Sequence, residues 1–202
     1  MADYINEWSA SPRKSRESSR RFALRAVSLD DADFQAHLAM ASAYLWDRHH
    51  DDAMREANRA LALSPNYPGV HLVLGLALHY SGRSEEALGC FDRALALDPF
   101  YPDVYLQYQA QAQYQLGRYP EAAALLKRRI LRNPDTDTSR VWLAAAYGQM
   151  GQFEEARGAW REALRVNPAF SLEHRRKALP YKNTEDFERV VEGLRKAGLP
   201  EE

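Results

Sequence analysis

A single cysteine, Cys90, stands in the 202-residue chain, so no internal disulfide can form and the sequence fits a reducing compartment. Long apolar runs are missing as well. No stretch approaches the ~18 consecutive apolar residues of a membrane-crossing helix. The N-terminal "MADYINEWSASPRKS" has no apolar run behind a basic start, unlike a secretory leader. Neither charge is in excess: 27 Lys and Arg face 28 Asp and Glu, a formal net charge of −1. That balance supplies no global field to draw in nucleic acid or an anionic membrane surface. The sequence therefore reads as a cytoplasmic chain with no nucleic-acid and no membrane partner. What is present is apolar material, 46% of residues, enough for a substantial core as one domain or a short array of repeats.

The prolines expose an array. Pro65, Pro99, Pro134 and Pro168 are separated by 34, 35 and 34 residues. Each follows Ser64, Asp98, Asn133 or Asn167 and closes an apolar-periodic run such as "REANRALALSP" or "GCFDRALALDP". A proline there stops a helix, because it pushes the preceding residue out of the α region. Each period holds two helical runs. In "HLVLGLALHYSGRSEEALGCFDRALALDP", Leu72, Gly75, Leu76 and His79 share one face. After the turn "SGRS", Ala87, Leu88, Phe91, Ala94 and Leu95 share another. "VWLAAAYGQMGQFEEARGAWREALRVNP" repeats the plan with Leu143, Ala144 and Tyr147, a turn at Gly151, then Ala156, Trp160 and Ala163. In the first period the matching residues are Met40, Ala41, Tyr44, Ala53, Ala57 and Ala60. The small residues have a purpose. Gly75, Ala41, Ala110 and Ala144 let paired helices approach, while Phe91 or Trp160 fills the space toward the next pair.

Leu74, Gly75, Leu78, Gly82, Ala87, Phe91, Ala94 and Pro99 resemble the tetratricopeptide repeat (TPR) motif at that family's own period, as do Leu143, Ala144, Tyr147, Gly151, Ala156, Trp160, Ala163 and Pro168. The resemblance implies an all-α fold, a right-handed α-solenoid of helix-turn-helix repeats with a C-terminal capping helix. It divides the chain into an N-terminal partial repeat (1–33), four repeats (34–67, 68–101, 103–136 and 137–170) and C-terminal capping helices (171–202). The third repeat departs most, with Pro102 at its entrance, Gln109 and Gln113 where larger apolar residues are expected, and Arg129 in place of the second small alanine. Different local packing is expected there.

The ends read differently. Residues 16–31 look like the second helix of a repeat whose first helix is mostly absent, with Ala23, Ala26 and Val27 in phase and Tyr4, Ile5 and Trp8 supplying one or two turns ahead of it. This N-terminal edge is a candidate surface for homo-oligomer formation. At the other end a short helix over Leu172 to Ala178 stops before Pro180. A second begins near Asn183 or Thr184, carries a stripe of Phe187, Val190, Val191 and Leu194, and stops at Gly198 and Pro200. Two readings stand: a cap over the last repeat, or a docking helix for a partner. "NPDTDTSRVWLAAAYGQMGQFEEARGAWREALRVNP" and "FSLEHRRKALPYKNTEDFERVVEGLRKAGLP" look like the C-terminal repeat region behind the catalytic domain of some bacterial class III adenylate cyclases. No strand-rich segment with paired metal-binding aspartates accompanies them. The resemblance implies a bacterial origin and an accessory role, not cyclase activity.

Chemical signatures are sparse. "HHDD", His49 to Asp52, has metal-friendly side chains at a turn, with Asp51 or Asp52 as a helix N-cap the plainer reading. Cys90 has no neighbouring histidine to activate it. No nucleophile elbow or glycine-rich phosphate loop appears. Neither a catalytic residue, a metal site nor a cofactor is assigned. Arg13, Lys14, Arg16, Arg20, Arg21 and Arg25, and again Lys127, Arg128, Arg129 and Arg132, form basic clusters that read as solvated faces or an edge for an acidic partner.

In the fold that the resemblance implies, the first helices of successive repeats line a concave groove. By phase its candidate partner-binding residues are Trp46, His79, Tyr80, Gln107, Tyr108, Gln111, Tyr114, Trp142 and Gln149, flanked by Gln35, Leu38, Ser42, Leu45, Leu72, Val73, Leu76, Gln115, Thr138, Val141 and Ala145. The set lacks the lysine and arginine with which some co-chaperones of the family hold a C-terminal carboxylate. Rings and amides instead suit an extended or helical segment, the rings giving area and the amides pairing with its backbone. Either a protein partner fills this surface or the chain's own terminal helix does. The expected function is a non-enzymatic interaction scaffold for a peptide or protein segment. The alternative is a structural accessory module that self-associates or docks to a catalytic partner.

Overall fold

The computed structural model describes residues 12–199, and among these there are eleven helices and no strand. Tyr4, Ile5, Trp8 and Pro200 lie outside the described residues. The described residues form two compact bodies, residues 12–99 with 177–182, and residues 100–176 with 183–199.

The first body holds α1 (Pro12–Leu29), α2 (Phe34–Trp46), α3 (His50–Leu63), α4 (Pro68–Tyr80) and α5 (Ser84–Leu97). Local chemistry starts each helix. The Asp33 carboxylate accepts from the Gln35 N–H at 2.9 Å, and Pro68 occupies the first turn of α4, where its missing N–H is harmless. Glu85 and Glu86 sit in the first turn of α5, where the helix dipole favours negative charge. Helices α2 and α3 pair across fully buried Ala41, Ala53, Ala57 and Ala60. Between α4 and α5 a Cβ on Gly75 would stand 2.6 Å from Phe91 Cε1, so the close crossing requires glycine there.

At "HHDD" the N-cap is His49, and neither aspartate takes that position. Asp51 and Asp52 fall one and two residues inside α3, where they favour its N-terminal dipole. Asp52 pairs with Arg55 at 2.7 Å and Asp51 lies 3.8 Å from Lys182.

The second body holds α6 (Val104–Gln115), α7 (Tyr119–Arg132), α8 (Asp137–Gln149), α9 (Phe153–Val166), α10 (Leu172–Ala178), whose last two residues belong to the first body, and α11 (Thr184–Lys196). A polar latch recurs here at repeat spacing. Asn133 donates to Asp103 at 3.4 Å, and Asn167 donates to Asp137 at 2.7 Å. Asp137 also faces Arg175, and although burial opposes it, these partners hold its carboxyl below the ordinary range.

The odd packing expected around Arg129 takes a definite form. Its side chain turns inward to Asp103 at 2.9 Å, Gln107 at 3.1 Å, Thr136 at 2.9 Å and Ser139 at 2.8 Å. A network of charged and polar groups replaces the alanine contact of the other repeats. The stripe on α11 is buried throughout, from Phe187 at 3% exposure to Leu194 at 0%. This helix lies across α8 at a glycine pair, where a Cβ on Gly148 would overlap the Gly193 carbonyl and a Cβ on Gly193 would stand 2.6 Å from the Tyr114 hydroxyl.

Candidate functional site

Eight of the nine candidate groove residues are buried, and only Gln149 is partly open. The cover in each body is a piece of the C-terminal segment.

In the first body, residues 179–181, Leu-Pro-Tyr, run without helix past the ends of α2 and α4. Arg48, in the turn after α2, supplies the clamp. Its guanidinium donates to the carbonyls of Lys177 (3.1 Å), Leu179 (3.0 Å) and Tyr181 (3.0 Å). The Lys182 N–H donates to the Tyr80 carbonyl at 2.8 Å, using an acceptor that the C-terminus of α4 leaves without a helical partner. Tyr181 stands edge-on to Tyr80 at 4.9 Å and to His79 at 5.7 Å, and Trp46 backs Tyr80 at 6.2 Å. His79 meets the Tyr181 hydroxyl at 3.4 Å and Ser84 Oγ at 3.2 Å. Burial pushes its imidazole down to about 3, so the ring is neutral at physiological pH.

In the second body the occupant is a helix. The Tyr114 hydroxyl donates to the Arg189 carbonyl at 2.8 Å, Gln115 donates to the Asp186 carbonyl at 2.6 Å, and Gln149 donates to the Arg189 carbonyl at 3.1 Å. Arg189 returns a bond to the Gln115 carbonyl at 2.9 Å, and Lys196 reaches Gln149 at 2.8 Å. Trp142 stands perpendicular to Tyr114 at 5.2 Å, and burial raises the Tyr114 hydroxyl pKa well above its usual value.

Trp46, His79 and Tyr80 are thus gathered in one body, and Tyr114, Trp142 and Gln149 in the other. Gln107 belongs instead to the Arg129 network, accepting also from Ser139 at 2.5 Å. Gln111 is buried on α6, and Tyr108 is buried with its hydroxyl pKa raised for that reason. Sequence reasoning missed Arg48. A signal for it was present: Gly82, Gly117 and Gly151 occupy the turns of the later repeats at positive φ, and the residue 34 before Gly82 is arginine.

The remaining candidates have structural surroundings. The half-buried Cys90 thiol has its pKa raised by burial, which disfavours the reactive thiolate. In the second basic cluster, Arg128 and Arg132 both engage Tyr101, and Lys127 lies over the Tyr147 ring. Among the described residues no group of three or more His, Cys, Asp or Glu is placed to hold a metal ion, and no helix is long and apolar enough to cross a membrane.

Paired helices whose inner side chains grip the main chain of a polypeptide define a class: helical-repeat modules that generally bind other proteins. Tetratricopeptide repeat sequence models match residues 38–102, 78–146 and 140–170, together well over half of the chain. The chain belongs to the tetratricopeptide repeat family.

Solved structures of similar fold include PilW, a type IV pilus biogenesis factor, with TM-score 0.72 and 21% identity over 90% of this chain and 86% of that one. MamA gives TM-score 0.65 and 17% identity over 79% and 95% of the two chains. YrrB, a TPR protein with an unusual peptide-binding site, gives 0.61 and 18% over 87% and 90%. At these identities the likeness is one of fold. A Rhizobium meliloti protein described as "Putative adenylate cyclase 3" is 57% identical over 44 residues, 22% of this chain and 8% of that protein.

Proposed function

We propose that this chain is a non-catalytic interaction scaffold, cytoplasmic and bacterial, which holds a partner's polypeptide segment against the inner faces of its first-position helices. The observation that carries this reading is the direction of the inner side chains. Arg48, Tyr114, Gln115 and Gln149 all donate to main-chain carbonyls of an extended or helical segment. Bonds to main chain hold a segment irrespective of its sequence, while the rings beside them select shape. The C-terminal segment occupies these faces in the resting chain, so a partner competes with it.

Affinity capture with the wild-type chain and with Tyr181→Ala tests the competition. The variant loosens the resident segment and leaves Arg48 in place, and capture of partners that dock on the first body is expected to rise. Capture unchanged by the variant, with helical circular dichroism intact, rejects the inner face as the site.

A second reading has its own support in the 44-residue likeness to part of a cyclase-named protein: an accessory module docking to a catalytic chain or to itself. Its surface would be the N-terminal edge, where Phe22 and Leu29 are exposed beside an apolar groove of about 550 Å³ lined by Ala23, Ala26, Ala36 and Ala39. A molar mass in light scattering that rises with concentration supports self-association there, and a constant monomer mass rejects it.

A further inference from the structure

Residue 48 breaks the pattern of its own fold. Three turns between paired helices use glycine at φ 89, 75 and 74, and the fourth uses Arg48 at φ 63, the one non-glycine residue at positive φ among those described. A side chain in that region is strained, because its Cβ crowds the backbone. The strain coincides with a contact no glycine could make, since Arg48 binds three carbonyls of the Leu-Pro-Tyr segment.

The segment also has the form of a ligand. It runs without helix and fits a slot: Leu179 is 6% exposed and Tyr181 3%. Pro180, also buried, brings no N–H that burial would leave unpaired, and it holds Leu179 out of the helical region. Tyr181 inserts its ring against two aromatic neighbours and brings its hydroxyl to His79. The fit is incomplete in one respect. His50, at 6% exposure, has no hydrogen bond at either ring nitrogen, and the charges of Lys182 and Arg48 bear on it.

We infer that Arg48, His79 and Tyr80 form a recognition site for a non-helical Leu-Pro-Tyr segment, that residues 179–181 are its resident ligand, and that a second segment of the same chemistry displaces them. Arg48 fixes the main chain, the His79–Tyr80 slot reads the tyrosine, and the proline keeps the segment out of a helix. This deepens the scaffold reading, on which it rests, by naming what the first body accepts.

The probe is the fluorescein-labelled peptide KALPYKN, residues 177–183, followed by anisotropy on the full chain. Tyr181→Ala empties the slot of its resident ring and is expected to bind KALPYKN at least tenfold more tightly than wild type. Adding Arg48→Ala abolishes that gain, and KALPAKN does not compete. Equal binding by Tyr181→Ala and wild type, with helical content intact, overturns the inference, as does equal binding of KALPAKN. A second measurement needs no variant: in the wild-type chain, millimolar KALPYKN accelerates hydrogen exchange at the Lys182 amide, and an unchanged rate at saturating peptide overturns displacement. A chain whose partner capture rises on release, but which ignores KALPYKN, refutes this ligand while leaving the scaffold reading standing.

Discussion

His79 takes up a proton near pH 6.5 when the chain is unfolded and near 3 when it is buried beside Tyr80 and Tyr181. Below pH 6.5 the unfolded state therefore binds the extra proton, and stability falls by about 1.4 kcal/mol per pH unit until the folded ring protonates. His50, lowered by burial and then by Lys182 and Arg48, adds the same sign. His37 opposes it. Burial works against its charge, but Glu56 at 2.7 Å and the Asp31 carbonyl at 2.9 Å raise its pKa, so its contribution is full in acid and lost above the ordinary histidine range. The urea midpoint is expected to drop between pH 6.5 and 5. His79→Phe, which keeps a ring and removes the titration, flattens that slope whatever it does to stability at pH 7. An unchanged slope would assign the acid sensitivity elsewhere.

At the scale of helices, what decides a position is the crossing it occupies. Gly148 on α8 and Gly193 on α11 leave no room for a methyl group, whereas Gly89 on α5 and Gly158 on α9 have no such neighbour within 4 Å. The same substitution has opposite outcomes. Gly148→Ala is expected to destabilise by about 1–3 kcal/mol through overpacking, and Gly89→Ala to stabilise by about 0.5–1 kcal/mol through helix propensity. Urea denaturation of the two variants reads both signs.

Much of this level was legible in the sequence. Proline spacing marked the helix ends, Gly75 announced a close crossing of its paired helices, and the stripe on α11 announced a buried face; Phe91, expected to face the next pair, packs on Gly75 within its own. The destination of that stripe was not legible, because apolar periodicity says that a face is buried without saying against what. Arg129 is similar: arginine in an alanine slot was visible, but its four polar partners lie on two other stretches of chain that only folding collects. Arg48 was hidden by a different cause. Its meaning lay in a missing glycine, and an absence at one turn of four reads as variation until a bond partner 129 to 133 residues away is seen.

For the molecule as a whole, those separations matter to kinetics. Repeat arrays bury their cores between nearest neighbours, and such contacts form quickly. The first body adds a contact that must close a loop of more than a hundred residues. Contacts of this kind form after the neighbouring helices have packed, so their loss is felt in unfolding more than in folding. Arg48→Ala is expected to raise the unfolding rate about five- to thirtyfold, for roughly 1–2 kcal/mol lost, with the refolding rate nearly unchanged in stopped-flow measurements. A slowed refolding limb would instead make the clamp part of the folding nucleus.

The Leu-Pro-Tyr segment travels with the wall that holds it, and so escapes dilution. Even a short flexible tether keeps such a segment at an effective concentration near the millimolar range, and here helices α10 and α11 flank it on both sides. A rival of equal intrinsic strength must approach that abundance to win half of the sites, while one that also satisfies His50 gains its advantage at lower levels. Weak mimics are thereby turned away without any clash built against them, and selectivity arises from rivalry with an incumbent.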